Sequence, residues 1–402
     1  KNNNDNNNNN EGRHGNGSSL SSSSSSSPSS SSLATAPPQS PQMEPSVEDL
    51  LAELESLRAK IAASQAAVRD AELSSLAQHF APIEGLRLKG RKILKGHIAK
   101  VVAVDFAGDS KHAVSASLDG KLMIWDTWSG NKVRIIPVRT TWIMGAAFES
   151  SGRFVAVGGM DNMCTIYDLD KKWTGGGPGG EGGGVLGAAL VRELAGLQGY
   201  LSCCVFVHQD KIIVGSADTK VYVFDISSGR KLQEYTAHEA DVIGLSVQPG
   251  DSNVFVTASM DKTCKLFDLR QADQCRQSFE GHELENNNVN FQNNGHMFTS
   301  CSEDRSCRLF DIRSDLEVAA FREPNKQAAF TCISNSKSGR LLLAGADDDT
   351  VHIWDVVGGS TPEESHLGNL WGHDARISSM SMAPNGMATV TASWDSTVRI
   401  WA

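Results

Sequence analysis

From Arg91 onward the chain alternates apolar and polar residues in short runs rich in Val, Ile and Phe, each broken by Gly, Asp, Asn or Ser. A period of two marks a strand with a buried face, and the breakers mark turns. Upstream the pattern differs. Val47, Leu50, Leu54, Leu57, Ile61, Ser64, Val68 and Ala71 recur in steps of three and four. That is a heptad seam without Gly or Pro, and it predicts a coiled-coil α-helix over residues 46–71, about seven turns long. Ser46 with Asp49 three residues on resembles a helix start. So narrow a seam calls for a partner helix; packing on its own domain is the plainer alternative. Residues 72–90 read as a connector. Residues 1–45 are an Asn tract, a Ser tract and Pro-rich text. Such a leader cannot bury enough apolar surface to offset its ordering entropy and is predicted to be disordered.

The β-like region repeats. Asp119, Asp161, Asp218, Asp261, Asp304, Asp348 and Asp395 each stand six residues before an aromatic: Trp125, Tyr167, Phe224, Phe267, Phe310, Trp354 and Trp401. Gly-His or Ala-His pairs recur at His97, His238, His282 and His373, 22 or 23 residues before the matching Asp. This spacing is that of a WD repeat, a four-stranded unit that must stack radially to bury both faces. The expected fold is therefore all-β, a seven-bladed propeller over residues 91–402. Leu86 to Leu94 is available to close the last blade. Each repeated Asp is expected in a tight turn accepting backbone N–H bonds, with the His donating to it. These residues are scaffold, not catalytic acids and bases. The long interval before Asp218 holds the Gly-rich run 175–184. Without a Gly-Lys-Ser/Thr leading into a helix, this is a flexible insertion rather than a phosphate loop.

Charge and chemistry narrow the function. The 402 residues carry a formal net charge of −10, which disfavours a general nucleic-acid binder because phosphates reward excess Lys and Arg. No apolar run is long enough for a transmembrane helix. The eight Cys form no C-x-x-C pair and read as free, mostly buried thiols of a reducing compartment rather than zinc ligands. No nucleophile elbow, zincin motif or phosphate loop occurs. No enzyme activity, cofactor or metal is expected.

A heptad helix, a short connector and seven WD repeats occur here in that order, and longer strings go beyond the generic repeat. They include Leu94-Lys-Gly-His97, Val114-Ser-Ala-Ser-Leu-Asp119, Gly158-Gly-Met-Asp161-Asn162, Gly199-Tyr-Leu-Ser-Cys-Cys204, Cys275-Arg-Gln-Ser-Phe-Glu-Gly-His282, Ser336-Lys-Ser-Gly-Arg-Leu-Leu-Leu-Ala-Gly345 and Ala392-Ser-Trp394-Asp-Ser396. Over residues 46–402 the chain resembles the β subunit of heterotrimeric G proteins. The resemblance implies a non-catalytic signalling scaffold whose helix pairs with a small γ subunit, here through Val47, Leu50, Leu54, Leu57, Ile61 and Val68. It implies a propeller face that docks the GDP-bound α subunit and then effectors, in signalling from G protein-coupled receptors. The positions matching that face are Lys100, Lys121, Met123, Asn131, Lys132, Trp142, Met144, Met160, Asn162, Tyr200, Asp241, Ile243, Glu285 and Trp394. Trp, Tyr and Met there would supply apolar anchors and the charges register. The implied location is cytoplasmic, at the inner face of the plasma membrane, held there only indirectly through lipidated partners.

Several positions depart from the family pattern. Val102 stands where the family has Tyr. Gly196-Leu197 replaces the Gly-His before Asp218, so that blade lacks its His–Asp bond. Asn286 puts an amide at a buried strand position. The alternative function is a different WD-repeat adaptor, which would not need the heptad helix.

Overall fold

The computed structural model describes residues 88–172, 188–271, 274–323, 328–358 and 365–402, apart from Gln209, together with residues 83 and 86 and most of 51–60. The leader, the Gly-rich run 175–184, most of the connector, and Val47, Leu50, Ile61 and Val68 lie outside the described residues. Residues 51, 53, 54 and 56–60 are helical. Leu51, Leu54 and Leu57 are all exposed there.

The described residues from 90 onward form 28 strands, β1–β28 in chain order, in seven four-stranded antiparallel sheets. The innermost strands are β2 (Val101–Phe106), β6 (Ile143–Phe148), β10 (Leu201–Val207), β14 (Val242–Val247), β18 (Asn286–Phe291), β22 (Phe330–Asn335) and β26 (Ile377–Met382). Each touches the next, and β26 touches β2, so the ring closes. β1 (Gly90–Lys95) is the outermost strand of the seventh blade and pairs with β28 (Thr397–Trp401). Lys89 and Ala402 extend that pairing with two backbone bonds of 3.2 Å. The segment expected to close the ring from the N-terminal side does so.

The core lies between blades. Seven clusters of buried apolar residues occur, one at each blade–blade junction. Alternation along a strand feeds two junctions at once. On β4 (Lys121–Asp126), Leu122 and Ile124 face blade 2, while Met123 and Trp125 face blade 7. The eight Cys are free, and five are fully buried, but Cys275 is exposed.

The turn after each second strand explains the repeat. The residue following every repeated Asp has positive φ: Gly120, Asn162, Thr219, Lys262, Arg305, Asp349 and Ser396. Left-handed backbone is strained for most residues and needs local support. Six of the seven carboxylates provide it by accepting the N–H two residues on, as Asp395 does from Thr397 at 2.7 Å. Asp161 is the exception, since its Oδ1 is buried without a partner.

Candidate functional site

In an antiparallel blade, the connection into the innermost strand and the Asp turn fall at the same end. A backbone bond joins them in every blade: Leu118 to Lys100, Met160 to Trp142, Ala217 to Tyr200, Met260 to Asp241, Glu303 to Glu285, Asp347 to Ala329 and Trp394 to Arg376, all between N and O at 3.0–3.1 Å. Seven equivalent bonds gather these loops on one face of the ring.

Side chains fix the same loops from beneath. His97 Nδ1 lies 3.1 Å from Asp119 Oδ2 and its Nε2 lies 2.7 Å from Ser115 Oγ, which accepts from Trp125 Nε1 at 2.8 Å. Since that hydroxyl already accepts from the indole, it donates to Nε2, and a neutral His97 donates from Nδ1 to the carboxylate. His373, Asp395, Thr391 and Trp401 repeat the chain. His238 with Asp261 and Thr257, and His282 with Asp304 and Ser300, repeat it without the Trp. Burial pushes His97 and His238 below the usual imidazole value, against the pull of Asp119 and Asp261. Burial alone would raise Asp261, Asp304 and Asp395. Hydrogen bonds from the His and from Thr263, Ser306 and Thr397 outweigh it and hold all three below the usual carboxylate range. Each of these four rings is buried and engaged at both nitrogens.

The third blade lacks the His, also as expected. Leu197 is buried in the core in its place. Asp218 accepts instead from Tyr222 Oη at 2.7 Å and from the N–H groups of Gln198 and Gly199.

On this face Trp142 is 59% exposed, so it is not a strand-core residue, and Met144 and Met160 are also exposed. Trp394 is 39% exposed, with Lys100 Nζ 3.6 Å from its ring centre and the Arg376 guanidinium at 5.4 Å on the same indole. Glu285 is exposed, while Lys121, Asn162, Tyr200, Asp241 and Ile243 are half-buried. Tyr200 Oη donates to Asp241 Oδ2 at 2.9 Å, tying the third and fourth blades together. Burial and that carboxylate push the phenol up to about 12. The face surrounds the mouth of a central channel of 1010 Å³ lined by the innermost strands, with Met144, Tyr200, Ile243, Arg376 and Trp394 among its lining residues.

A family model for the G protein beta WD-40 repeat protein matches residues 44–402. The chain belongs to this family.

Three expected site positions sit elsewhere. Met123 shares the face of β4 that carries Trp125. It is 2% exposed inside the junction between blades 7 and 1, so it offers no docking surface. Asn131 and Lys132 lie at the start of the outermost strand of blade 1, β5 (Lys132–Pro137), at the opposite end of that blade. The Lys132 side chain runs back alongside Gly96, near His97. Val102, standing for the family Tyr, packs partly buried against the junction between blades 1 and 2.

Sequence reasoning missed others. Ile98 directly follows His97 and is 81% exposed. Leu284 follows His282 by two and is also exposed, and Arg376 flanks Trp394. The signal was present: an apolar residue just after a repeat His falls in a loop, where no core can take it.

Asn286 opens β18 and is fully buried. Its Nδ2 lies 3.5 Å from Cys264 Sγ, and its Oδ1 has no partner. The amide at a buried strand position is confirmed.

Proposed function

We propose that this family member is the β subunit of a heterotrimeric guanine-nucleotide-binding protein and acts as a non-catalytic docking scaffold. The helix expected over residues 46–71 pairs with a γ subunit. The face carrying Ile98, Trp142, Met144, Met160 and Trp394 docks the GDP-bound α subunit and engages effectors after its release, in receptor signalling. Lipidated partners bring the assembly to the inner face of the plasma membrane. None of the described helices is long and apolar enough to cross a membrane.

One observation carries the reading: large apolar side chains stand outward on loops that seven backbone bonds and four His–Asp pairs hold still. Interface hot spots favour such Trp and Arg anchors, and rigid loops lower the ordering entropy of binding.

The test is co-expression with candidate γ chains, then size-exclusion chromatography with light scattering and a pull-down with GDP-loaded α subunit. A stable one-to-one complex, protected from proteolysis over residues 46–71 and capturing the α subunit, is expected. A folded monomer indifferent to every γ chain would place the protein among general WD-repeat adaptors.

A further inference from the structure

Blade 6 departs from the polar pattern that four blades share. The position four residues before the turn Asp, held by Ser115, Thr257, Ser300 or Thr391 in those four, is Ala344 here, as it is Val157 and Val214 in blades 2 and 3. Trp354 remains, but its Nε1 is buried without a hydrogen-bond partner, whereas the indoles of Trp125 and Trp401 have theirs. Different chemistry gathers beside it. His352, two residues before Trp354 on β24 (Val351–Asp355), is fully buried. His366 opens β25 (His366–Leu370) and pairs directly with Trp354. Glu323 arrives from the neighbouring blade, just after β21 (Leu316–Phe321).

One ligand atom from each of Glu323, His352 and His366 lies within 4.8 Å of the other two. Glu323 Oε2 is 2.6 Å from His352 Nδ1, yet it is buried and makes no well-directed hydrogen bond. The far nitrogens of both rings are engaged. His352 Nε2 is 3.0 Å from Thr350 Oγ1, whose own proton goes to Asp348 Oδ1 at 2.6 Å. His366 Nε2 is 2.9 Å from Asn369 Oδ1. Both oxygens are therefore acceptors, and each Nε2 is the donor. Metal-binding histidines are usually oriented in this way, by a hydrogen bond from the second ring nitrogen.

We propose that Glu323, His352 and His366 form a binding site for a divalent transition-metal ion. Two imidazoles and one carboxylate are a donor set suited to zinc, with water completing a four-coordinate shell. The ion ties the end of blade 5 to the two outer strands of blade 6. A ligand that binds only the folded chain stabilises it by mass action.

The experiment uses the full-length chain, stripped of metal by chelator. Zn²⁺ is titrated by calorimetry and Co²⁺ by its visible d–d absorption, with thermal melting at each end point. The expected result is one ion per chain, Co²⁺ bands that Zn²⁺ displaces, and a higher Tm with Zn²⁺. Glu323→Gln and His366→Gln, neither altering the fully buried ring, should each weaken binding by about tenfold or more. The proposal is overturned if the parent binds no better than the Glu323→Gln/His366→Gln double variant, or if single-ion binding survives in both single variants. A Tm indifferent to Zn²⁺ but lowered by Glu323→Gln would also overturn it, leaving a plain His–Glu ion pair.

Discussion

Asn286→Val should make this protein more stable. The first residues of the innermost strands are Val101, Ile143, Leu201, Val242, Asn286, Phe330 and Ile377, and each is buried at the same place in its blade. Six are apolar. Asn286 alone brings an amide, with Oδ1 unpartnered and Nδ2 facing only a sulfur, a weak acceptor. A buried polar atom left unpaired costs about 1–3 kcal/mol. Val is close to Asn in volume, suits a strand, and already stands at this place in blades 1 and 4. Removing the orphaned oxygen should therefore recover about 1–3 kcal/mol, or about 2–5 °C in Tm for a domain of this size. The reverse exchange is the control. Val242→Asn should cost about 2–4 kcal/mol by losing apolar burial and adding an unpaired amide. Thermal and denaturant unfolding of the two variants beside the parent measure both effects. An Asn286→Val chain no more stable than the parent, or a harmless Val242→Asn, refutes the reasoning.

Other outcomes follow from the same geometry. Trp394→Ala should weaken α-subunit capture while leaving Tm nearly unchanged, because the indole is half-exposed on a loop whose backbone is held independently; a large fall in Tm would make Trp394 a core residue. Leu57→Asp with Ile61→Asp should abolish γ pull-down and lower soluble yield, and normal values for both would remove the coiled-coil assignment. Asp395 has a folded pKa below its unfolded value, so its contribution is present above about pH 4 and is lost as pH falls through the folded value. Asp395→Asn should thus lower Tm at pH 7, and its gap to the parent should close in acid. Asp105 behaves in the opposite way. Burial between three blades raises it to about 6, against hydrogen bonds from Phe148 N, Ser381 Oγ and Phe106 N. Its contribution is present below about pH 4 and lost as pH rises through 6. Asp105→Asn should therefore gain on the parent across that window, and a pH-independent difference would contradict the raised carboxylate.

What could be read from the sequence was what the chain repeats. The Asp-to-aromatic interval is legible because a carboxylate must cap a left-handed turn, and the aromatic must fall on a junction face six residues later. Met123 was misplaced because its side depends on strand parity, and parity with Trp125 puts it in the core. Ile98, Leu284 and Arg376 lie between the repeat's fixed letters, and only the backbone sets them outward. The blade 6 cluster was invisible for another reason: Glu323, His352 and His366 come from two blades, with no local spacing that resembles a ligand motif. Repetition still makes departures readable once the blades are superposed in thought. Leu197 removes a His, and Tyr222 supplies the missing donor to Asp218, so the cap survives with a new partner. Asn286 removes an apolar side chain and nothing replaces it. Ala344 removes a hydroxyl, and three metal-binding side chains converge nearby. A lost scaffold contact that another residue restores is ordinary drift within a fixed geometry. One left unfilled marks a site where stability can be gained, and one answered by different chemistry marks a site where binding should be sought.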